Sequence, residues 1–276
     1  MSRAHRLAVL ALCAVPALRA QGVMIAPHAV FMDQRSRGGA VTLVNPGTEP
    51  VEVSIAVFYG YTRTDSLGQL TLHQIDQPDA THPSAAGWIQ AFPRRLTVEP
   101  QDRQTVRLLA TPPPGLADGE YWARLAFTAK AGQVPVTGVS DTARVNVGLT
   151  LEVRTIIGLH YRKGAVQTGL AVSGLRAALV GDSVVVHARL ERRGNAAYLG
   201  TVHGTVVNAS RQTVGQLTVP ITVFFANEPR WTSAVGALPP GAYSLHLEIV
   251  PEREDLPSEV VLSSGVIRDS VPVSPP

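Results

Sequence analysis

The feature that most constrains the fold is an alternation between Ala143 and Arg162, ARVNVGLTLEVRTIIGLHYR. Ala143, Val145, Val147, Leu149, Leu151, Val153, Thr155, Ile157, Leu159 and Tyr161 hold the odd positions. Polar residues or glycine hold the even ones, with Ile156 the only sizeable apolar exception. Side chains point to alternate faces along a strand, so a period of two held this long predicts β structure. At about 3.3 Å per residue such a strand would span roughly 60 Å, more than one sandwich needs. A strand that outruns its sheet either links two domains or offers an edge to a partner.

The rest of the chain reads the same way. Short β-prone runs are separated by Gly, Pro, Asn and Asp, and no window reads as a long amphipathic helix. Strands are expected within residues 23–35, where Pro27 breaks the first one, then at 40–44, 51–61, 70–74, 88–91, 97–99, 105–110 and 121–128. That is the strand count of an immunoglobulin-like sandwich. A second set is expected at 166–172, 183–191, 200–208, 216–225, 243–250 and 260–267. The fold class predicted is all-β, with two immunoglobulin-like β-sandwich domains in tandem joined by a long interdomain strand. The first domain covers 21–162 and the second 163–270, and the Pro-rich 271–276 is a flexible tail.

The N-terminus reads as a cleaved secretory signal over residues 1–20. Arg3 and Arg6 precede a short apolar run from Leu7 to Leu18, and Ala-Leu-Arg-Ala ends at Ala20. That run is too short to span a bilayer, which argues against a membrane anchor. The only cysteine, Cys13, lies within it, so the mature domains would be held by their cores alone. Of the 24 basic residues three (Arg3, Arg6 and Arg19) lie in the signal, leaving 24 − 3 = 21 against 21 acidic ones. A near-neutral mature chain without a basic patch gives no reason to expect nucleic acid as a partner.

Catalytic chemistry is not announced. The histidines are scattered, H-E-x-x-H, G-x-S-x-G and the P-loop are absent, and the mature chain offers no cysteine nucleophile. Asp65, Asp76 and Asp79 do not follow the spacing of an EF-hand loop. No catalytic residue, metal ligand set or cofactor is predicted, and the chain is not read as an enzyme.

Four segments, in order, resemble the periplasmic pilus-assembly chaperones of the chaperone/usher pathway. They are APHAVFMDQRSRGGAVTLVNPG, FPRRLTVEPQDRQTVRL, LADGEYWARLAF and RTIIGLHYR. The resemblance covers about residues 23–162, and the second half fits in length and strand style. It implies a periplasmic protein whose partners are pilus or fimbrial subunits and an outer-membrane usher. It also implies that strand 143–157 is donated to the subunit, with Leu149, Leu151 and Val153 filling its open core. The family anchors the subunit's terminal carboxylate with two basic residues, and the aligned positions here hold His28 and Gly158. Arg154 and His160 stand beside His28 as cleft anchor candidates. Glu120 and Arg162 align with an acid and a base that fix the angle between domains. Two alternatives stay open: a structural or adhesive immunoglobulin-like protein of the cell envelope without a pilus client, and self-association through the edge strand.

Overall fold

A computed structural model describes residues 22–130, 134–135, 148–149 and 151–274. The first sandwich is built from β1 (Met24–Ala26), β2 (Ala29–Asp33), β3 (Gly38–Val44), β4 (Val51–Thr64), β5 (Leu70–Ile75), β6 (Ile89–Phe92), β7 (Arg95–Val98), β8 (Arg103–Ala110) and β9 (Gly119–Lys130). A short pair, β10 (Val134–Pro135) and β11 (Gly148–Leu149), precedes β12 (Glu152–Lys163). One sheet has the order β1-β3-β8-β6, the other β2-β12-β9-β4-β5 with β7 also on β4. Pro27 lies between β1 and β2, and there the chain changes sheets: β1 pairs antiparallel with β3, β2 parallel with β12. His28 therefore sits at the crossing, over Gly158, whose N–H donates to the His28 carbonyl (3.4 Å).

The two inner faces close on a core that includes Val41, Leu43, Val53, Val106, Leu125, Phe127, Ile157, Leu159 and Tyr161. The Asn45-Pro46-Gly47 turn is tied inward by Asn45, whose Nδ2 donates to the carbonyls of Glu49 (2.8 Å) and Val98 (2.9 Å).

The second sandwich holds β13 (Thr168–Val180), β14 (Ser183–Gly194), β15 (Tyr198–Asn208), β16 (Thr213–Val223), β17 (Ala226–Asn227), β18 (Arg230–Ala234), β19 (Tyr243–Val250) and β20 (Ile267–Ser274). Its order is β16-β15-β19-β20-β13-β14-β17, with β18 on β14. The last strand is the seam. Residues Ile267–Pro272 pair antiparallel with β19, and Val273 and Ser274 pair parallel with β13. A separate core gathers Val184, Val186, Leu190, Val202, Val206, Val223, Leu245 and Ile249.

Three expectations are corrected. The alternation from 143 to 162 is not one continuous strand within the described residues. The described pairing with β9 runs to Glu152 opposite Lys130, and Leu151 lies outside both β11 and β12. Gly148 and Leu149 pair instead with Pro135 and Val134. Residues 143–147 and 150 lie outside the described residues. The strand expected at 260–267 begins only at Ile267, because its partner β19 is met there. Residues 271–274, expected to be a flexible tail, are instead strand that closes the second sandwich. The strand Arg230–Ala234 was not anticipated, although Trp231 and Ser233 alternate inward along it.

Candidate functional site

Alternation sorts β9 and β12 into two faces. Odd residues such as Ala123, Leu125, Leu159 and Tyr161 enter the first core, and of the even ones Glu120, Trp122, Arg124 and His160 meet the second domain. Register then places Glu120 opposite Arg162, Trp122 opposite His160, and Arg124 opposite Gly158. Phe224 and Phe225, which follow β16, insert between these side chains. The Phe224 ring lies 4.7 Å from Trp122, and Phe225 lies 4.8 Å from Tyr61. Tyr59, Trp122, Ala197 and Phe224 form a buried cluster shared by the two domains.

Glu120 is the polar centre of this junction and is fully buried. Its Oε1 accepts from Trp122 Nε1 (2.7 Å), His160 Nδ1 (3.0 Å) and the Ala197 N–H (3.1 Å), and its Oε2 from Arg162 Nε (2.7 Å). Ala197 belongs to the second domain, so one carboxylate ties the two sandwiches together. Burial by itself raises the Glu120 pKa, but His160 and Arg162 outweigh it and hold the carboxyl down at about 2. His160 stacks on Phe31 (4.7 Å) on one side and faces Phe224 (5.9 Å) on the other.

Beside this junction lies a cleft of about 160 Å³. Its lining includes His28, Arg124, Gly158, His160, Phe224 and Arg253. Sequence reasoning did not single out Arg124. Its Nε donates to the Gly60 carbonyl (3.0 Å), its guanidinium lies 4.9 Å over the Phe224 ring, and its Nη2 is sealed from solvent without a partner. Among the described residues no acid lies within ion-pair distance of it. Burial lowers its pKa to about 10. A Cβ on Gly158 would stand 3.2 Å from Arg124 Nη1 and 3.5 Å from His160 Nε2. The missing side chain of Gly158 is what leaves room for the guanidinium of its cross-strand neighbour. Arg253, by contrast, is already paired with Asp255 at 2.6 Å.

The remaining site residues are placed as follows. His28 is exposed on the cleft rim. Arg154 is exposed and lies over Phe58 (5.4 Å), outside the cleft lining. Leu151 is 45% exposed, and Val153 is half-buried on β12. The side chain of Leu149 is outside the described residues. The edge of β12 is asymmetric: β9 covers Glu152–Lys163, but on the other side β2 reaches only Gly158–Arg162. From Glu152 to Ile157 that outer edge has no strand beside it among the described residues.

No family model and no curated protein matches the chain. Solved structures similar to it include three chaperones or chaperone complexes. The YadV chaperone is 16% identical, covers 91% of this chain and 99% of its own, and gives a TM-score of 0.45. The Pseudomonas aeruginosa CupB2 chaperone is 14% identical over 91% of this chain and 100% of its own, at a TM-score of 0.43. The CsuC–CsuE chaperone–tip adhesion subunit pre-assembly complex of Acinetobacter baumannii Csu pili is 14% identical over 92% and 99%, at 0.47. Likeness at this level says nothing about site residues. No helix of the described residues is long and apolar enough to cross a membrane. The described residues hold no group of three or more His, Cys, Asp or Glu placed for a metal ion.

Proposed function

We propose that the chain is a periplasmic chaperone for pilus-type subunits, which it holds by strand donation. The observation that carries this reading is the half-covered edge of β12. Among the described residues no strand lies beside it from Glu152 to Ile157 on the side away from β9, so the backbone groups that point outward there can take another strand. An incoming strand gains main-chain pairing there, and Leu149, Leu151 and Val153 supply the alternate apolar side chains that fill its pockets. Burying such side chains contributes about 1.5–3 kcal/mol each, so no cofactor or nucleotide is required.

The cleft supplies the second contact. Arg124, not a residue at the two aligned positions, is the base that seats a client's terminal carboxylate, with His28 and His160 beside it. The cleft, at about 160 Å³, has room for a carboxylate. Glu120 and Arg162 hold the two domains at the angle that keeps edge and cleft in line.

The test is co-expression with pilus-type subunits and recovery of the complex. Leu151→Asp with Val153→Asp should lower subunit recovery at least tenfold, since two lost apolar contacts of that size exceed 1.4 kcal/mol. Unchanged recovery would rule out donation from β12. A second reading, an envelope protein with this fold and no pilus client, is favoured by the loss of both aligned bases at His28 and Gly158. It expects no subunit to be recovered at all.

A further inference from the structure

A second cavity, of about 550 Å³, opens where the tip of the β4–β5 hairpin meets the second sandwich. The Glu228 N–H donates to Thr64 Oγ1 (2.7 Å) and the Arg230 N–H to the Gly68 carbonyl (3.1 Å), which fixes the tip over the sheet. Gly68 has φ +75°, and a Cβ there would stand 2.6 Å from Arg230 Cβ, so the close approach needs glycine.

The floor of the cavity carries a row of cationic side chains. Arg176 on β13 lies directly opposite His187 on β14, and His187 directly opposite Arg230 on β18. An irregularity between Ser173 and Arg176, with Gly174 at φ +61°, brings Arg176 into that register. Neighbouring strands run about 4.8 Å apart, and like charges placed opposite one another repel. Among the described residues no acid lies within ion-pair distance of Arg176 or Arg230. The two acids of the cavity are already engaged. Glu228 pairs with Arg189 (2.5 Å), and Asp65 Oδ1 accepts from the N–H groups of Leu67 and Gln69 (both 2.9 Å). His187 is half-buried, and it feels this setting: desolvation first, then Arg176 and Arg230, lower its pKa.

We propose that this shelf is a binding site for a phosphate-type oxyanion, gripped by Arg176 and Arg230 and capped by protonated His187. Two planar forks on either side of an imidazole suit a tetrahedral anion, which removes the repulsion between them. The groups facing His187 are then Arg176, Arg230 and Arg189, with Glu228 and Asp65 as the acids. Binding favours the protonated ring, so affinity rises as pH falls. The phosphate can be a free ion or a lipid headgroup. The hairpin tip bordering the shelf exposes Leu67 (70%) and Leu70 (55%), side chains that suit the headgroup source.

The experiment follows the His187 ring by proton NMR in the mature chain, in inorganic phosphate and in chloride of equal ionic strength. His187 should titrate higher in phosphate than in chloride. Sulfate, an oxyanion whose charge is constant over this range, should bind roughly tenfold tighter near pH 5.5 than near pH 7.5. Arg176→Ser with Arg230→Ser should abolish both effects, whereas Arg268→Ser, which breaks an exposed pair with Glu248 outside this cavity, should keep them. A parallel arm measures sedimentation with phosphatidylcholine vesicles with and without phosphatidylglycerol. Capture that needs the anionic lipid and is lost in Leu67→Ser assigns the headgroup as the source, and a response to free phosphate alone assigns the ion. No response in either arm, or the same response in the double variant, overturns the site.

Discussion

Arg124 is a charge kept at a cost. It is drawn out of water, and among the described residues one of its Nη groups has no partner and no carboxylate lies within ion-pair distance. Such a group destabilises its own fold, and it persists when something outside the chain completes it. Arg124→Gln should therefore abolish subunit recovery while leaving the thermal midpoint unchanged or higher, read by differential scanning calorimetry. A drop of several degrees would make Arg124 a structural residue. Glu120 behaves in the opposite sense. Its carboxyl sits at about 2, below the ordinary 4.5, so its contribution is whole above about pH 4.5 and is lost as pH falls through about 2. Thermal midpoints measured across that window should fall, and Glu120→Gln should flatten the fall and cost about 3–5 kcal/mol at neutral pH, because it leaves Arg162 and His160 without their acid. The resemblance pointed to Glu120 and Arg162 as a pair. Nothing in the sequence pointed to Arg124, because its place follows from the register of β9 on β12, a long-range property that alternation does not encode.

At the scale of elements, β12 has two edges with different partners. The Gly158 N–H points toward β2, so by period two the N–H groups of Arg154 and Ile156 point to the same, outer side, and those of Val153 and Thr155 point to β9. Arg154→Pro should thus weaken subunit capture while leaving the fold within a few degrees of wild type. Thr155→Pro removes a bond of the β9 ladder and should lower stability by about 1–3 kcal/mol, read by urea unfolding. Equal effects of the two would contradict the edge assignment. The alternation marked the strand and its inward face well, since Ile157, Leu159 and Tyr161 are all buried. It could not mark where the strand ends, because that depends on where β9 stops. The same blindness hid β20: it contains Pro272 and runs into Pro275-Pro276, and it looks like a tail until β19 and β13 are set beside it.

At the scale of the whole molecule, the two sandwiches meet through aromatic packing and one buried carboxylate. Phe224 and Phe225 enter from the second domain, and Glu120 reaches back to the Ala197 N–H. Strand counts and turn residues were enough to divide the chain into two β units. The junction was not legible, since neither aromatic residue carries a signal that separates wedge from core. One consequence of the half-covered edge of β12 belongs to the molecule in a crowd. Turned antiparallel on a second copy about Val153, the edge sets Glu152 against Arg154 in both directions, a favourable cross-strand pairing. If a copy and a client take the same edge, mass action decides between them. Sedimentation should find a weak dimer that added subunit dissolves, so that each molecule captures less as the protein grows more concentrated.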